Sequence, residues 1–113
     1  MIEAYGKGGF RFADMSHRGS ILCLPQGIWA SEVKAPVAID LGSLSLALAD
    51  GAAIDHFLIG TGKDIAPLVP AIRDAFRSRR IVVEPMSTGA AVRTYNILLG
   101  ERRRVGALLI AVE

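Results

Sequence analysis

The feature that most constrains this chain is an alternation of patterns between His56 and Val112. An apolar run, His56-Phe57-Leu58-Ile59, breaks at Gly60-Thr61-Gly62 and gives way to a helical period. Ile65, Leu68, Val69, Ile72 and Phe76 recur at spacings of three and four, which predicts a helix over 64–78 with one core-facing side. Asp64 is placed to cap that helix, and Pro67 falls in its first turn, where a missing N–H costs little. A second apolar run near 81–84 breaks at Met86-Ser87-Thr88-Gly89. It leads into a helix over 89–99, capped by Ser87 or Thr88 and closed by Gly100. The run 105–112 is apolar throughout and suits a central strand covered on both faces. Together these predict a parallel βαβαβ core with strands near 56–59, 81–84 and 105–112.

The first half reads as β structure added to that core. Phe10-Arg11-Phe12 alternates at period two, as a half-buried strand does, after a flexible glycine-rich approach at Gly6, Gly8 and Gly9. His17-Arg18-Gly19 reads as a turn. Ile21-Leu22-Cys23-Leu24 and Ile28-Trp29-Ala30, joined through Pro25-Gln26-Gly27, read as an antiparallel hairpin with Trp29 packing at the sheet edge. Asp40 is placed to cap a short helix over 41–49 with Leu41, Leu44 and Leu48 on one stripe, and Asp50-Gly51 reads as a turn. No repeat, linker or low-complexity tract interrupts residues 1–113, so a single domain is expected.

Composition removes several function classes. The net charge is only +2, which is no nucleic-acid signature. Cys23 is the one cysteine, so no disulfide closes within the chain. Residues 1–20 carry charges and no apolar h-region, and no apolar run approaches the roughly 18–20 residues that span a bilayer. A cytoplasmic protein with no direct membrane insertion is the plain expectation.

Catalytic chemistry is thinly represented. Gly60-x-Gly62 follows a strand and opens a helix, but the third glycine of a dinucleotide turn is replaced by Ile65; Gly62-Lys63 lacks the rest of a phosphate loop. His17 and His56 have no third ligand at metal spacing, so no metal site and no cofactor are expected. Asp55 and His56 are neighbours on a strand and point to opposite faces, a poor acid–base pair. Cys23 lies between leucines with no cation near in sequence, which suits an inert core thiol. No residue is assigned as catalytic, and a non-enzymatic protein is favoured.

Two groups of residues remain as candidates. If the turns after the first two core strands lie side by side, Gly60, Thr61, Gly62 and Lys63 face one crevice with Ser87, Thr88, Gly89 and Arg93. Free N–H groups, hydroxyls and two cations there would suit a small anion, while the rival account is that small residues permit tight turns and hydroxyls cap helices. Arg79, Arg80, Arg102 and Arg103 fall at the two helix ends, where positive charge suits the helix dipole or presents a surface to a partner. Asn96 on the second helix reads as a tie to a neighbouring segment.

Ile59-Gly60-Thr61-Gly62, the run from Glu84 to Leu99, and Glu101-Arg102-Arg103-Arg104-Val105 resemble the MTH-type small domain family of unknown function. The likeness extends to Tyr5-Gly6-Lys7-Gly8-Gly9-Phe10 and Trp29. That family is related to the mitochondrial respiratory complex I assembly factor 3. Position 92, often cysteine among relatives, is Val92 here, so no thiol role carries over. The resemblance implies a three-layer α/β fold with a mixed sheet and an added N-terminal β-hairpin. It implies a protein-binding or assembly factor with protein partners, among them membrane-complex subunits, reached peripherally at the inner membrane. Homo-oligomerisation stays open, with the Phe10–Phe12 strand as the edge that could pair.

Overall fold

The computed structural model describes residues 1–49 and 52–113; the turn expected at Asp50-Gly51 lies outside them. The chain opens with an antiparallel meander of β1 (Ile2–Gly6), β2 (Gly9–Phe12) and β3 (Met15–Arg18). Two-residue turns make it: Lys7 and Gly8 (φ 52° and 80°), then Ala13 and Asp14 (φ 49° and 60°). Positive φ at both central positions matches the right-handed twist of paired strands. Next come β4 (Ser20–Leu24), β5 (Gly27–Ser31), a 3-10 turn at Pro36–Ala38 and the short α1 (Ser45–Leu48). The second half is β6 (His56–Gly60), α2 (Pro70–Arg77), β7 (Val82–Met86), α3 (Thr88–Gly100) and β8 (Val105–Leu109).

The main sheet has the order β5-β4-β8-β6-β7, with β6 parallel to both β7 and β8 and β4 antiparallel to β8. Period-two alternation sends its side chains into two cores. Leu22, Leu24, Phe57, Ile59 and Leu108 meet α1 and α2 through Leu44, Leu48, Ile72 and Phe76. Ile21, Cys23, Leu58, Ala107 and Leu109 meet α3 and the meander through Ala91, Val92, Tyr95, Phe10 and Phe12. The result is the expected three-layer α/β fold with a mixed sheet. Phe57 and Phe76 stack at a centroid distance of 4.9 Å and join β6 to α2. Such a pair contributes about 0.5–1.5 kcal/mol beyond its buried area.

The meander is fastened to α3 by one side chain. Asn96 accepts from the Ile2 N–H and donates to the Ile2 carbonyl, each at 2.8 Å, so its amide acts as a further strand partner. The expected tie through Asn96 is therefore made, and to strand β1.

Several local expectations are corrected. The first long helix begins at Pro70 and not at 64, because the residue before a proline is pushed out of the helical region. Val69 preceding Pro70 has φ −67° and ψ 149°. Asp64 caps nothing there, and Ile65 and Val69 are exposed while Leu68, Ile72 and Phe76 are buried. The helix expected over 41–49 shrinks to α1, because Asp40 and Ser43 close a turn on each other. Ser43 N–H donates to Asp40 Oδ1 at 2.7 Å, and the Ser43 hydroxyl donates to the Asp40 carbonyl at 2.8 Å. Leu41 consequently leaves the stripe and is exposed. Residues 15–18 form strand β3 and not a turn, so Phe10–Phe12 is the middle strand of the meander and no edge for pairing. The last strand ends at Leu109.

Both helix ends turn through an arginine. After α2, Ile81 N–H bonds to the Phe76 carbonyl and Arg80 N–H to the Arg77 carbonyl, with Arg80 at φ 58°. After α3, Arg103 N–H bonds to Leu98 and Arg102 N–H to Leu99, with Arg102 at φ 60°. These paired bonds are Schellman endings, which favour glycine at the left-handed residue. Gly100, expected to close α3, is its last helical residue; the left-handed position is Arg102. An L-residue there is strained by about 1 kcal/mol, partly offset by the extra unfolded-state freedom of glycine. Arg80→Gly and Arg102→Gly should each stabilise the fold by about 0.5 kcal/mol in denaturant unfolding. A loss of stability from both would contradict the strained-ending assignment.

Candidate functional site

The chain leaves the adjacent strands β6 and β7 toward opposite faces of the sheet, the arrangement at which α/β sheets commonly bind ligands. The two candidate turns do lie together there. Their hydroxyls, however, are spent inside the protein. The Thr88 side chain is fully buried; its Oγ1 donates to the Ile110 carbonyl at 2.7 Å and accepts from the Gly62 N–H at 3.0 Å. Thr88 N–H returns a bond to the Gly62 carbonyl at 2.8 Å. The Thr61 hydroxyl donates to the Asp64 carbonyl at 2.8 Å and accepts from the Ala66 N–H at 3.0 Å, which folds the 61–69 loop onto itself.

Gly60 is what lets Thr88 sit there. A Cβ at position 60 would lie 3.0 Å from Thr88 Cα and 3.1 Å from its Oγ1. Helix α3 therefore begins directly over the end of β6, with Ala91 packed beside Gly60 at the next turn. Ser87 is the N-cap, its Oγ accepting from Ala90 N–H at 3.3 Å. Of the two hydroxyls that could have capped α3, Ser87 serves the helix and Thr88 the sheet.

What remains open is a shallow crevice of about 430 Å³ lined by Tyr5, Gly62, Lys63, Ser87, Gly89, Arg93, Val112 and Glu113. Of the eight candidate residues, Gly62, Lys63, Ser87, Gly89 and Arg93 reach it, while Gly60, Thr61 and Thr88 lie beneath its floor. Tyr5 and Glu113 are lining residues that sequence reasoning did not name. Tyr5 arrives from the meander and covers the start of α3, so that a Cβ at Gly89 would come within 2.5 Å of its hydroxyl oxygen. Glu113 lines the same crevice as Lys63 and Arg93, with its Oε1 toward Gly8, and its charge lowers the positive character there.

The second candidate group gathers at the opposite end of the sheet. Asp55 N–H bonds to the Arg104 carbonyl, and Val82 N–H bonds to the Asp55 carbonyl, so the Arg80 and Arg104 corners flank the start of β6. Two inter-strand spacings, about 10 Å, separate the corners. Arg80, Arg102 and Arg103 are exposed there and make no ion pair among the described residues. Arg79 is different: its Nε donates to the Leu48 carbonyl and an Nη to the Ala75 carbonyl, both at 2.8 Å, clasping α1 to the end of α2. Arg104 forks onto Asp55 at 2.9 and 3.0 Å, an exposed pair contributing at most about 1 kcal/mol.

Titratable groups in the core do not suggest chemistry. Burial pushes the Cys23 thiol up to about 12, only partly offset by its hydrogen bond with Tyr95. Burial likewise raises the Tyr95 hydroxyl, with Cys23 adding to the shift. Both stay protonated near neutrality, as an inert core thiol should. Parallel pairing places His56 two residues from Glu84 across the β6–β7 ladder, with Nε2 and Oε1 3.8 Å apart. That contact needed the register and was not readable from residue spacing. Among the described residues no group of His, Cys, Asp and Glu is arranged to hold a metal ion.

Replacing Thr88 by Val would strand the buried Ile110 carbonyl and take the partner from the partly buried Gly62 N–H. Thr88→Val should cost about 2–4 kcal/mol in urea unfolding, and Thr88→Ser about 1 kcal/mol or less. A loss from Thr88→Ser larger than that from Thr88→Val would show that packing of the methyl outweighs the hydroxyl's bonds.

The same architecture recurs in known proteins. The family model described as a protein of unknown function, DUF498/DUF598, matches residues 2–110. An uncharacterised protein of Rhodobacter capsulatus is 38% identical over 109 residues, spanning 96% of this chain and 82% of that protein. NADH dehydrogenase (ubiquinone) 1 alpha subcomplex assembly factor 3 of Xenopus tropicalis is 33% identical over 109 residues. The match takes 96% of this chain and 60% of that protein, so the chain spans less than two thirds of that relative. A crystal structure from Bartonella henselae, described as an outer membrane protein, is 50% identical with a TM-score of 0.94 over 99% of this chain and 94% of that one. A Bordetella pertussis solution structure described as an Mth938-like domain is 27% identical, with a TM-score of 0.83 over 96% and 84% of the two chains. On the match over residues 2–110, the chain belongs to the DUF498/DUF598 family of proteins of unknown function, with the Mth938-like α/β fold.

Proposed function

We propose that this chain is a non-enzymatic, protein-binding assembly factor for a membrane complex such as respiratory complex I. In this reading it meets its partner through the arginine-bearing end of the sheet. The observation that carries the reading is the 33% identity to NADH dehydrogenase assembly factor 3, which runs through 96% of this chain. Two features of the molecule support it. The hydroxyls that could have served chemistry at the paired turns are consumed by backbone partners. Arg80, Arg102 and Arg103 stand exposed at one end and make no ion pair among the described residues. Arginines of this kind recognise carboxylates through paired N–H groups, so the surface suits an acidic stretch of a partner subunit. No helix among the described residues is long and apolar enough to cross a membrane, so contact with a membrane complex would run through that partner.

A second reading keeps the crevice as a site for a small anion. Lys63 and Arg93 converge there beside the start of α3, and helix starts attract anions. Glu113 in the same crevice weighs against it.

One experiment separates the two. A tagged copy is cross-linked in its native cells and captured from soluble and membrane fractions. Recovery of NADH dehydrogenase subunits is expected from the membrane fraction, reduced at least tenfold by the triple change Arg80→Glu, Arg102→Glu, Arg103→Glu. Arg79 is left intact because it clasps α1. Capture unaffected by the triple change would remove the arginine surface from the account. Stabilisation by inorganic phosphate that is lost in Lys63→Gln and Arg93→Gln would move the function to the crevice.

A further inference from the structure

The two edges of the main sheet are built differently. Edge strands invite pairing with other chains, and proteins blunt them with proline, charge or bulges. β7 carries both Glu84 and Pro85. β5 at the other edge, Gly27–Ser31, carries neither charge nor proline, and among the described residues pairs only with β4. Antiparallel pairing uses alternate backbone groups of an edge strand and leaves the others pointing outward.

Beside that unblunted edge runs a groove of about 460 Å³ between β5 and the segment leading into α1. Its floor is apolar: Leu22 and Val33 are 4% and 5% exposed. Its walls are half-exposed apolar side chains, Trp29 at 38% and Leu46 at 45%. Trp29 stands opposite Leu22 in the β4–β5 register, and its ring lies along the strand toward Gly27. The charged residues lining the groove are Glu32 and Asp40, both acidic, on a chain whose net charge is positive. Asp40 spends one carboxylate oxygen on the Ser43 N–H; Glu32 has no ion pair among the described residues.

We propose that β5 and this groove bind an extended peptide segment, added as a sixth strand, whose groove-facing side chains are an apolar residue flanked two positions away by basic residues. The backbone would pair with the open side of β5. An apolar side chain would enter between Trp29 and Leu46, and basic side chains two residues away, on the same face of the added strand, would meet Glu32 and Asp40. Main-chain bonds supply affinity in such strand addition, and alternate side chains supply choice of partner. A second copy of this chain is a poorer occupant, because pairing β5 with β5 would bring two acidic rims together. The surface is separate from the arginine-bearing end, so the proposal stands or falls independently of it.

Trp29 is the only tryptophan, so its fluorescence reports the groove without a label. The probe is the synthetic peptide Thr-Arg-Thr-Leu-Thr-Arg-Thr, blocked at both ends, in which the leucine and both arginines share one face of an extended strand. Controls are the same peptide with glutamate at every basic position, and one with proline in place of the central leucine. A saturable change in Trp29 emission is expected with the basic peptide and with neither control. Glu32→Lys should weaken that binding at least fivefold with an unchanged melting temperature, and added salt should weaken it further. Equal responses to the basic and acidic peptides, or no saturable response, would overturn the proposal. So would a concentration-dependent dimer in sedimentation that blocks the peptide, which would assign the groove to a second copy.

Discussion

The structure depends on where one hydroxyl sits. Thr88 lies over the end of β6, reaches Ile110 beyond β8 with its donor hydrogen, and takes the Gly62 amide with a lone pair. Three segments far apart in sequence thus meet at a fully buried atom. The bond to Ile110 is worth more than a surface bond, because removing the hydroxyl would leave the buried Ile110 carbonyl without this partner. Ile110 N–H to the Gly60 carbonyl and Thr61 N–H to the Met86 carbonyl extend the parallel ladder on either side, so this end of the sheet is sealed by backbone pairing. Once Thr88 is placed, the direction of α3 is set, and Asn96 two turns later brings the meander down onto it.

That seal bears directly on function. A Gly-Thr-Gly turn and a Ser-Thr-Gly turn side by side look like an anion cradle when only residue types are considered. The Thr61 and Thr88 hydroxyls are instead turned inward, and Lys63, Ser87 and Arg93 line what stays open, with Tyr5 and Glu113 beside them. The opposite end of the sheet differs in kind. There the chain turns from helix to strand twice through strained arginines, a choice of residue that local backbone preference would not make.

The core was legible because burial on both faces of β6 and β8 leaves apolar runs that no other element explains, and because α3 keeps its period from Ser87 onward. The start of α2 was misread because Ile65 and Val69 happen to continue the helical spacing, whereas Pro67 and Pro70 veto the backbone. The meander was half seen: Phe10 and Phe12 announce β2, but β1 and β3 carry exposed residues on both faces and owe their existence to the turns at Lys7-Gly8 and Ala13-Asp14. The two turns lie side by side at the carboxyl end of the sheet, and Gly62, Lys63, Ser87, Gly89 and Arg93 line the crevice between them, whereas Gly60, Thr61 and Thr88 do not. Distinguishing a hydroxyl that faces a ligand from one that faces Ile110 requires the order of strands, which no motif encodes. Tyr5 and Glu113 come from the two ends of the chain, and nothing near the turns signals them.

Amide hydrogen exchange would test the central claim most directly, that the paired turns are a structural joint and not an open cradle. The amides to follow are Gly62, held by Thr88 Oγ1, Thr88, held by Gly62, and Ile110, held by Gly60. If the joint is as described, all three exchange only through global unfolding, at the rate of the β6 and β8 core amides. If Gly62 and Thr88 instead exchange orders of magnitude faster than the Leu58 amide, the turns open locally, and the account of a sealed sheet end is wrong.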